Sequence, residues 1–245
     1  MFFDIGNVLF NDDPQSFLTF RRYYEALRDV RPGYTFADML AERESLASEG
    51  SIWILYDLAQ RTLGVDRMRD LNYQIRAELL PRYDDVHLVN PNLDDTLATL
   101  RERYRLGIIA NQPPESRKSL ARRNLLQFFD VVAISEELDL HKPDPALFEW
   151  ALQKAGISPE QTLMVGDRRD NDILPAVKLG MKTIWLHWPS SAAKNWNPTD
   201  KDARAFLASC DRVPLFHSPA HASIVADQTI HSIPATIAAL DTIVS

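Results

Sequence analysis

The 245-residue sequence contains one cysteine, Cys210, and no excess of basic residues. One cysteine excludes an internal disulfide, which suits a reducing cytosol, and we predict a cytoplasmic protein. The net charge of -7 makes nucleic acid and anionic membranes poor partners. No apolar run approaches the roughly 20 residues that a membrane helix requires, and the N-terminus does not resemble a signal peptide. An anionic ligand would therefore need a cation or a local group of basic side chains.

The first stretch of the chain, from Phe2 to Phe10, is an apolar run interrupted by Asp4, Gly6 and Asn7. Such a run, bounded by turn residues, is typical of a buried parallel strand that leads into a turn. Asp4 would then lie at the carboxyl end of a central strand, where open α/β sheets bind their ligands. A carboxylate there can be a metal ligand or a nucleophile, and the alternative is an acid that only stabilises a turn.

Residues 14–86 are predicted to form helices and no strands. Phe17 and Phe20 begin a series of aromatic and aliphatic residues at helical spacing. Thr35, followed by Asp38, predicts the start of a second helix. Two further helices follow, one ended by glycine and the other by proline. This part of the chain therefore reads as a helical insertion.

From residue 87 onward, predicted strands and helices alternate, which argues for a parallel sheet covered on both faces. The predicted strands after the insertion are 106–110, 131–134, 162–165, 182–186 and an edge strand within 224–230. Residues 187–222 show little pattern apart from a helix over 200–210, for which we predict Thr199 as the cap. A final helix is predicted to begin after Ser232 and to end at Val244.

Polar motifs follow these strands in a definite order. Asn111 follows the 106–110 strand, Lys142-Pro143 precedes a helix, and Asp167 follows the 162–165 strand, with Asp172 five residues later. Together with Asp4, this order resembles the haloacid dehalogenase-like (HAD) hydrolase superfamily, from Phe2 to about Leu186. Each motif is weak alone, but four in the right order and structural context make a strong indication.

The resemblance implies an architecture. We expect an α/β fold, with a Rossmann-like parallel sheet and helices on both faces, formed by residues 1–13 and 87–245. Residues 14–86 would form an inserted α-helical cap domain, of the first cap subclass of the superfamily.

The resemblance also implies an activity. Phosphoryl transfer needs a nucleophile, a divalent cation and further positive charge, and hard oxygen ligands suit Mg²⁺. The expected catalytic residues are Asp4, Lys142 and Asp172. The expected substrate-binding residues are Asn111, Gln112 and Lys142. The expected metal ligands are Asp4, Asp167 and the carbonyl of Gly6.

Two positions depart from the family pattern. Gly6 stands where phosphatases of the family usually have a second Asp that acts as general acid and base, and one of Asn11, Asp12 or Asp13 could reach back to replace it. Ala110 stands where Ser or Thr usually holds the phosphoryl group.

We therefore predict a Mg²⁺-dependent phosphatase that acts on a small phosphorylated metabolite, such as a sugar phosphate, as a monomer or homodimer. One alternative is a 2-haloacid dehalogenase-like hydrolase, which the clustered acids oppose because a metal-free site gains nothing from them. The other is a catalytically weak HAD-fold binding or regulatory protein, which Gly6 and Ala110 favour.

Overall fold

The computed structural model describes residues 1–51, 53–215 and 219–243. Its strands are β1 (Phe2–Phe3), β2 (Phe10–Asn11), β3 (Leu88–Val89), β4 (Leu106–Ala110), β5 (Phe129–Ile134), β6 (Leu163–Gly166), β7 (Lys182–Leu186) and β8 (Gln228–Ile230). Six of them form one sheet in the order β5-β4-β1-β6-β7-β8, and every neighbouring pair is parallel. The first strand of the chain is therefore central.

The helices of the described chain vary from one turn to more than four turns. They are α1 (Asp13–Arg28), α2 (Phe36–Ser48), α3 (Ile54–Leu63), α4 (Val65–Leu79), α5 (Tyr83–Val86), α6 (Leu93–Arg101), α7 (Glu115–Arg122), α8 (Ser135–Leu138), α9 (Pro145–Ala155), α10 (Leu174–Leu179), α11 (Lys201–Arg212) and α12 (Ala235–Ile243). Among the described residues, no helix combines the length and the apolar character that a membrane span requires.

Apolar side chains cover both faces of the sheet, as expected for parallel strands joined by helices. On one face, Phe3 and Ile108 belong to a core cluster that includes residues of α6 and α12. On the other face, Phe2 and Ile109 pack in a cluster with residues of α9. The predicted parallel α/β sheet with helices on both faces is thus confirmed.

A helical layer over the carboxyl edge of the sheet is inserted between β2 and β3, which pair with each other as an antiparallel ladder. Its helices α1–α4 enclose a separate apolar cluster. Thr35 begins α2 as predicted, because its side chain and that of Asp38 bond reciprocally to each other's backbone N–H groups in a capping box. We call this layer, residues 14–86, the cap; its exact boundaries stay a prediction.

Helix α11, which comes late in the chain, also packs on the cap. Phe206 of α11 lies 5.1 Å from Phe20 and 5.9 Å from Phe17, measured between ring centroids. Arg43 of the cap is fully buried and donates from Nη1 to the carbonyl of Ser209 at 3.2 Å, near the C-terminus of α11. Arg43 Nη2 donates to the carbonyl of Val213. A cation at this end of a helix is favourable, so Arg43 holds α11 against the cap.

The start of α11 differs from the prediction by one residue. Asp200, not Thr199, is the cap, because its carboxylate accepts from the backbone N–H groups of Asp202 and Ala203 at 2.8 and 3.1 Å. Both residue types are good caps, so local sequence could not choose between them. The predicted end of the last helix at Val244 lies outside the described residues.

Candidate active site

Asp4 lies directly after β1, at the carboxyl edge of the sheet and beneath the cap. Its backbone N–H donates to the carbonyl of Val165 on β6 at 2.9 Å, so the main chain holds it in register with the neighbouring strand. The residue is only 8% exposed. Its carboxylate is thus fixed in the position predicted for it, where two strands end side by side.

The side chain of Lys142 reaches Asp4 at this edge of the sheet. Its Nζ donates to Asp4 Oδ1 at 2.7 Å, to Asp172 Oδ1 at 2.6 Å and to the carbonyl of Ile109 at 3.1 Å. These bonds use all three donors of the ammonium group. With 4% of Lys142 exposed, the charge is buried and paired on both sides.

Asn111 fixes the loop that carries Lys142. Its Nδ2 donates to the carbonyl of Lys142, and its Oδ1 accepts from the N–H of Lys142, both at 2.8 Å. Both polar ends of the carboxamide are therefore engaged by the backbone of the residue whose side chain pairs with Asp4. The contact gives Asn111 a positioning role, while its predicted contact with substrate stays a prediction.

Gln112 faces the turn after Asp4. Its Oε1 accepts from the Tyr83 hydroxyl at 2.8 Å, which identifies the other end of the carboxamide as the amino group. That Nε2 would lie 3.5 Å from a Cβ atom built on Gly6. The amide group of Gln112 therefore borders the turn after Asp4, and its predicted contact with substrate stays a prediction.

The acidic loop after β6 brings two more carboxylates to this edge. Asp172 is fully buried, and its Oδ2 accepts from the N–H of Arg168 at 2.9 Å. Gly166 permits this approach, because a Cβ there would lie 2.2 Å from the Cβ of Asp172. Asp167 is half-buried in the same loop. Asp170 of the same loop is paired with Arg168, whose Nε donates to Asp170 Oδ1 at 3.1 Å.

The three carboxylates of Asp4, Asp167 and Asp172 form one cluster, with one oxygen from each lying within 4.8 Å of the others. Burial raises the pKa of Asp4 to about 6, because the attraction of Lys142 only partly offsets desolvation and the repulsion of Asp172. The pKa of Asp167 is raised well above its usual range by burial and then by Asp172 and Asp4. Burial alone would lower the pKa of Lys142, but Asp172 and Asp4 outweigh it and raise it.

This donor set fits a hard divalent cation. The cluster holds three acids against one ammonium group, and both oxygens of Asp172 already accept hydrogen bonds. Asp4 and Asp167 are therefore the members best placed to offer oxygen ligands, as Mg²⁺ prefers. The raised pKa values of both acids show that the site gains from added positive charge. The role of the Gly6 carbonyl stays a prediction.

The turn before α1 contains the acids that could compensate for Gly6. Asn11 caps the turn, since its Oδ1 accepts from the N–H of Asp13 at 2.9 Å. Asp13 pairs with Lys194 Nζ at 2.8 Å. Asp12 alone turns toward Gly6, where its Oδ2 would lie 2.7 Å from an added Cβ. Burial, and then the charge of Asp4, raise the pKa of Asp12 to about 8.

Residues 187–195, for which the sequence predicted no helix or strand, form one wall of the site. Trp188 Nε1 donates to the carbonyl of Asn7 at 2.8 Å. Lys194 Nζ donates to Asn7 Oδ1 at 3.0 Å, in addition to its bond with Asp13. Trp188 is therefore more than a packing residue, because it fixes the loop that follows the candidate nucleophile. Trp196 does pack, with its ring 5.9 Å from that of Phe17.

A cavity opens beside the carboxylate cluster, between this wall and the acidic loop. Asp167 lines it together with a mixed set of side chains that includes the basic and aromatic residues Arg169, Trp185 and Lys194. Arg169 lies over the Trp185 ring, with its Cζ 3.8 Å from the centroid. Ala110, in contrast, is fully buried and belongs to an apolar core cluster.

A comparison with models of known protein families identifies the family of this protein. Residues 2–186 match the family model of haloacid dehalogenase-like hydrolases, which is most of the chain. The protein therefore belongs to the haloacid dehalogenase-like hydrolase family, as its motifs indicated.

Several curated relatives are named as phosphatases. The chain is 40% identical over 99 residues to a glyceraldehyde 3-phosphate phosphatase of Methanothermobacter thermautotrophicus, covering 40% of this chain and 44% of the relative. It is 36% identical over 128 residues to a phosphoserine phosphatase of Thermus thermophilus, covering 51% and 49% of the two chains. The chain thus spans about half the length of the curated relatives that it matches.

Solved structures share the fold over nearly the whole length. A HAD phosphatase from Thermococcus onnurineus has a TM-score of 0.58 at 24% identity, with 98% of this chain and 96% of the other covered. A 2-haloacid dehalogenase from Pseudomonas syringae has a TM-score of 0.55 at 18% identity, with 98% and 97% covered. Because both chemistries occur among the neighbours, the fold alone does not choose between them.

Proposed function

We propose that this protein hydrolyses a small phosphate monoester in a Mg²⁺-dependent reaction that passes through a phosphorylated Asp4. One observation carries the proposal. A buried carboxylate, Asp4, lies 2.7 Å from the ammonium group of Lys142 and within one cluster with Asp167 and Asp172. This is the combination of nucleophile, positive charge and oxygen ligands that phosphoryl transfer needs.

Each residue has a part in the reaction. Asp4 attacks phosphorus with one carboxylate oxygen, so that an acyl phosphate forms as the ester oxygen leaves, and water then hydrolyses it. Lys142 neutralises charge on Asp4 and on the transferred group, and Asp172 holds Lys142 in place through their 2.6 Å bond. Asp4 and Asp167, with the Gly6 carbonyl, would hold Mg²⁺. When bound, the ion neutralises charge on the phosphoryl oxygens.

The carboxylate cluster favours this reaction over dehalogenation. A halide displacement at carbon involves no phosphoryl oxygens and gains nothing from a cation. Burial, and then the neighbouring acids, raise the pKa of Asp4 and Asp167 even though Lys142 is present, so a further cation would stabilise the ionised cluster. The names of the relatives support small phosphorylated metabolites, including sugar phosphates, as the substrate class.

The direct test is a screen of the purified protein against sugar phosphates, other phosphorylated metabolites and 2-haloacids, each with Mg²⁺ and with EDTA. We expect phosphate release that requires Mg²⁺ and is abolished by Asp4→Asn. Halide release without Mg²⁺ would instead show that the protein is a dehalogenase. Activity on neither class would favour a binding or regulatory protein.

The metal assignment has its own test. Asp167→Asn should weaken Mg²⁺ binding strongly in calorimetric titration, because it removes one of the two carboxylates proposed as ligands. Asp170→Asn is the matched control in the same loop, since Asp170 pairs with Arg168 and is outside the cluster. Equal Mg²⁺ affinities for the wild type and Asp167→Asn would contradict the assignment.

A further inference from the structure

Position 6 carries no side chain, yet the space beside it is filled by a carboxyl group. A Cβ atom built on Gly6 would lie 2.7 Å from Asp12 Oδ2 and 3.8 Å from Asp12 Cγ. Real contacts of a Cβ atom are longer, so a larger residue at position 6 and the observed Asp12 side chain compete for the same place. Asp12 thus puts its carboxyl group where an acid at position 6 would begin.

Asp12 does not perform the structural task that its position offers. It directly precedes α1, where an Asp side chain normally accepts from the first backbone N–H groups and stabilises the helix. Here the Asp12 side chain makes no such bond. Asn11 accepts from the N–H of Asp13 instead. The carboxyl group of Asp12 is therefore turned away from the helix and toward the turn after Asp4.

One oxygen of Asp12 is buried without a partner. Among the described residues, none donates a hydrogen bond to Asp12 Oδ1, and the imidazole Nε2 of His87 lies 3.9 Å from it, beyond hydrogen-bond distance. Folded proteins seldom leave such an atom unsatisfied, and a functional role is one reason that they do. The stacked rings of Tyr83 and His87, 3.8 Å apart between centroids, help to form the wall of this part of the site.

The reaction needs a proton donor that the other acids cannot supply. The leaving ester oxygen must gain a proton, and the attacking water must lose one. Asp172 has both oxygens engaged, Asp4 is the nucleophile, and Asp167 is a proposed cation ligand. Asp13 is paired with Lys194, so among the described residues Asp12 is the acid left to border the turn after Asp4.

We propose that Asp12 is the general acid and base of this protein, in place of the side chain that Gly6 lacks; the assignment rests on the proposed phosphatase function. In the first step the Asp4–phosphorus bond forms, the bond from phosphorus to the ester oxygen breaks, and the proton of Asp12 passes to that oxygen. In the second step water attacks phosphorus, the Asp4–phosphorus bond breaks, and a water proton returns to Asp12. The products are the alcohol and inorganic phosphate.

The test compares two leaving groups with Asp12→Asn, which keeps the shape of the side chain. For an alkyl phosphate that the wild type hydrolyses, kcat/KM should fall about 10²–10⁴-fold. For p-nitrophenyl phosphate, whose leaving group needs little protonation, kcat/KM should change by less than about tenfold. Because the second step still needs a base, the variant should release a burst of nitrophenol and accumulate phosphorylated enzyme. The control variant Asp85→Asn alters an exposed side chain and should leave kcat/KM unchanged for both substrates.

A transplant keeps the proposal falsifiable if the leaving-group comparison is obscured by misfolding. Asp12→Ala should lose activity on the alkyl phosphate, and Gly6→Asp together with Asp12→Ala should regain a large part of it. An equal loss on both substrates, with no burst and no recovery in the double variant, would make Asp12 a structural residue. A wild type without phosphatase activity would overturn the proposed function and this assignment together, whereas an active wild type with an unaffected Asp12→Asn would overturn this assignment alone.

Discussion

Lys142 is the residue whose loss should change the protein most, and Lys142→Met is the change that isolates its charge. The variant keeps an unbranched side chain but leaves Asp4 and Asp172 buried without their shared cation. Each of the two charge-assisted hydrogen bonds is worth roughly 1.5–3 kcal/mol. Removing one partner of a buried ion pair typically costs about 3–5 kcal/mol. We therefore expect unfolding free energy to fall by about 3–5 kcal/mol and Tm by about 6–20 °C.

The loss should depend on pH in a defined direction. Burial raises the pKa of Asp4 to about 6 even though the charge of Lys142 lowers it. Without Lys142 that pKa rises further, and at pH 5 the unpaired carboxyl group is protonated and uncharged. The destabilisation should therefore be larger at pH 8 than at pH 5. Added Mg²⁺ should recover part of it at pH 8, since the cation replaces the missing charge.

Urea unfolding in EDTA, followed by circular dichroism at both pH values, measures these quantities. Asp172→Asn should lower the unfolding free energy by less in the Lys142→Met background than in the wild type, because the two residues share one interaction. Lys118→Met removes an exposed lysine and serves as the control. If Lys142→Met unfolded at the wild-type urea concentration at pH 8, the buried pairing described for Lys142 would be refuted.

Three further predictions concern buried groups that take no part in the proposed proton and phosphoryl transfers. Burial lowers the pKa of His87 to about 4, so stability is lost as pH falls from about 6.5 to 4, and wild type should lose about 3 kcal/mol more than His87→Asn across that window in denaturant titrations. Equal losses would contradict the neutral buried state of His87. Burial raises the pKa of Cys210 to about 12, so iodoacetamide at pH 8 should modify it roughly 10³-fold more slowly in the folded than in the unfolded protein. Arg43→Met should lower the unfolding free energy by about 2–3 kcal/mol. The control Arg212→Met removes an exposed ion pair and should lower it by less than about 1 kcal/mol. Similar values for the two variants would show that the buried contacts of Arg43 add nothing to stability.

The carboxyl edge of the sheet was predictable from sequence. Asp4 and Asp167 each follow a strand, and parallel strands bring their carboxyl ends to one edge, so the predicted meeting of these residues follows from strand order. Lys142 was located by its motif, and the structure brings its ammonium group to Asp4. The two hydrogen bonds between Asn111 and the backbone of Lys142 could not be predicted from the sequence, because they depend on the paths of two loops.

Other parts of the site depend on contacts between segments far apart in the chain. The bond from Lys194 to Asp13 joins residues 181 positions apart, and neither belongs to a recognisable motif. Three neighbouring polar residues, Asn11, Asp12 and Asp13, lie at the start of α1, and local sequence could not show that Asp12 alone faces Gly6. The amphipathic pattern of α11 predicts a helix but does not say which apolar surface covers it. These features were fixed by tertiary packing, so one sequence without structure could not supply them.

The packing of α11 on the cap affects how the site can open. An insertion attached only at the β2–β3 ladder could rotate about that ladder and leave the rest of the chain in place. Here the cap is also attached through α11, whose two ends continue into the segments that return to β7 and β8. A rotation of the cap would therefore pull on residues 187–200, and Lys194 would be drawn away from Asn7. Opening of the cap should thus be mechanically coupled to the loop that follows Asp4, and in the proposed phosphatase this would link substrate exchange to the candidate nucleophile.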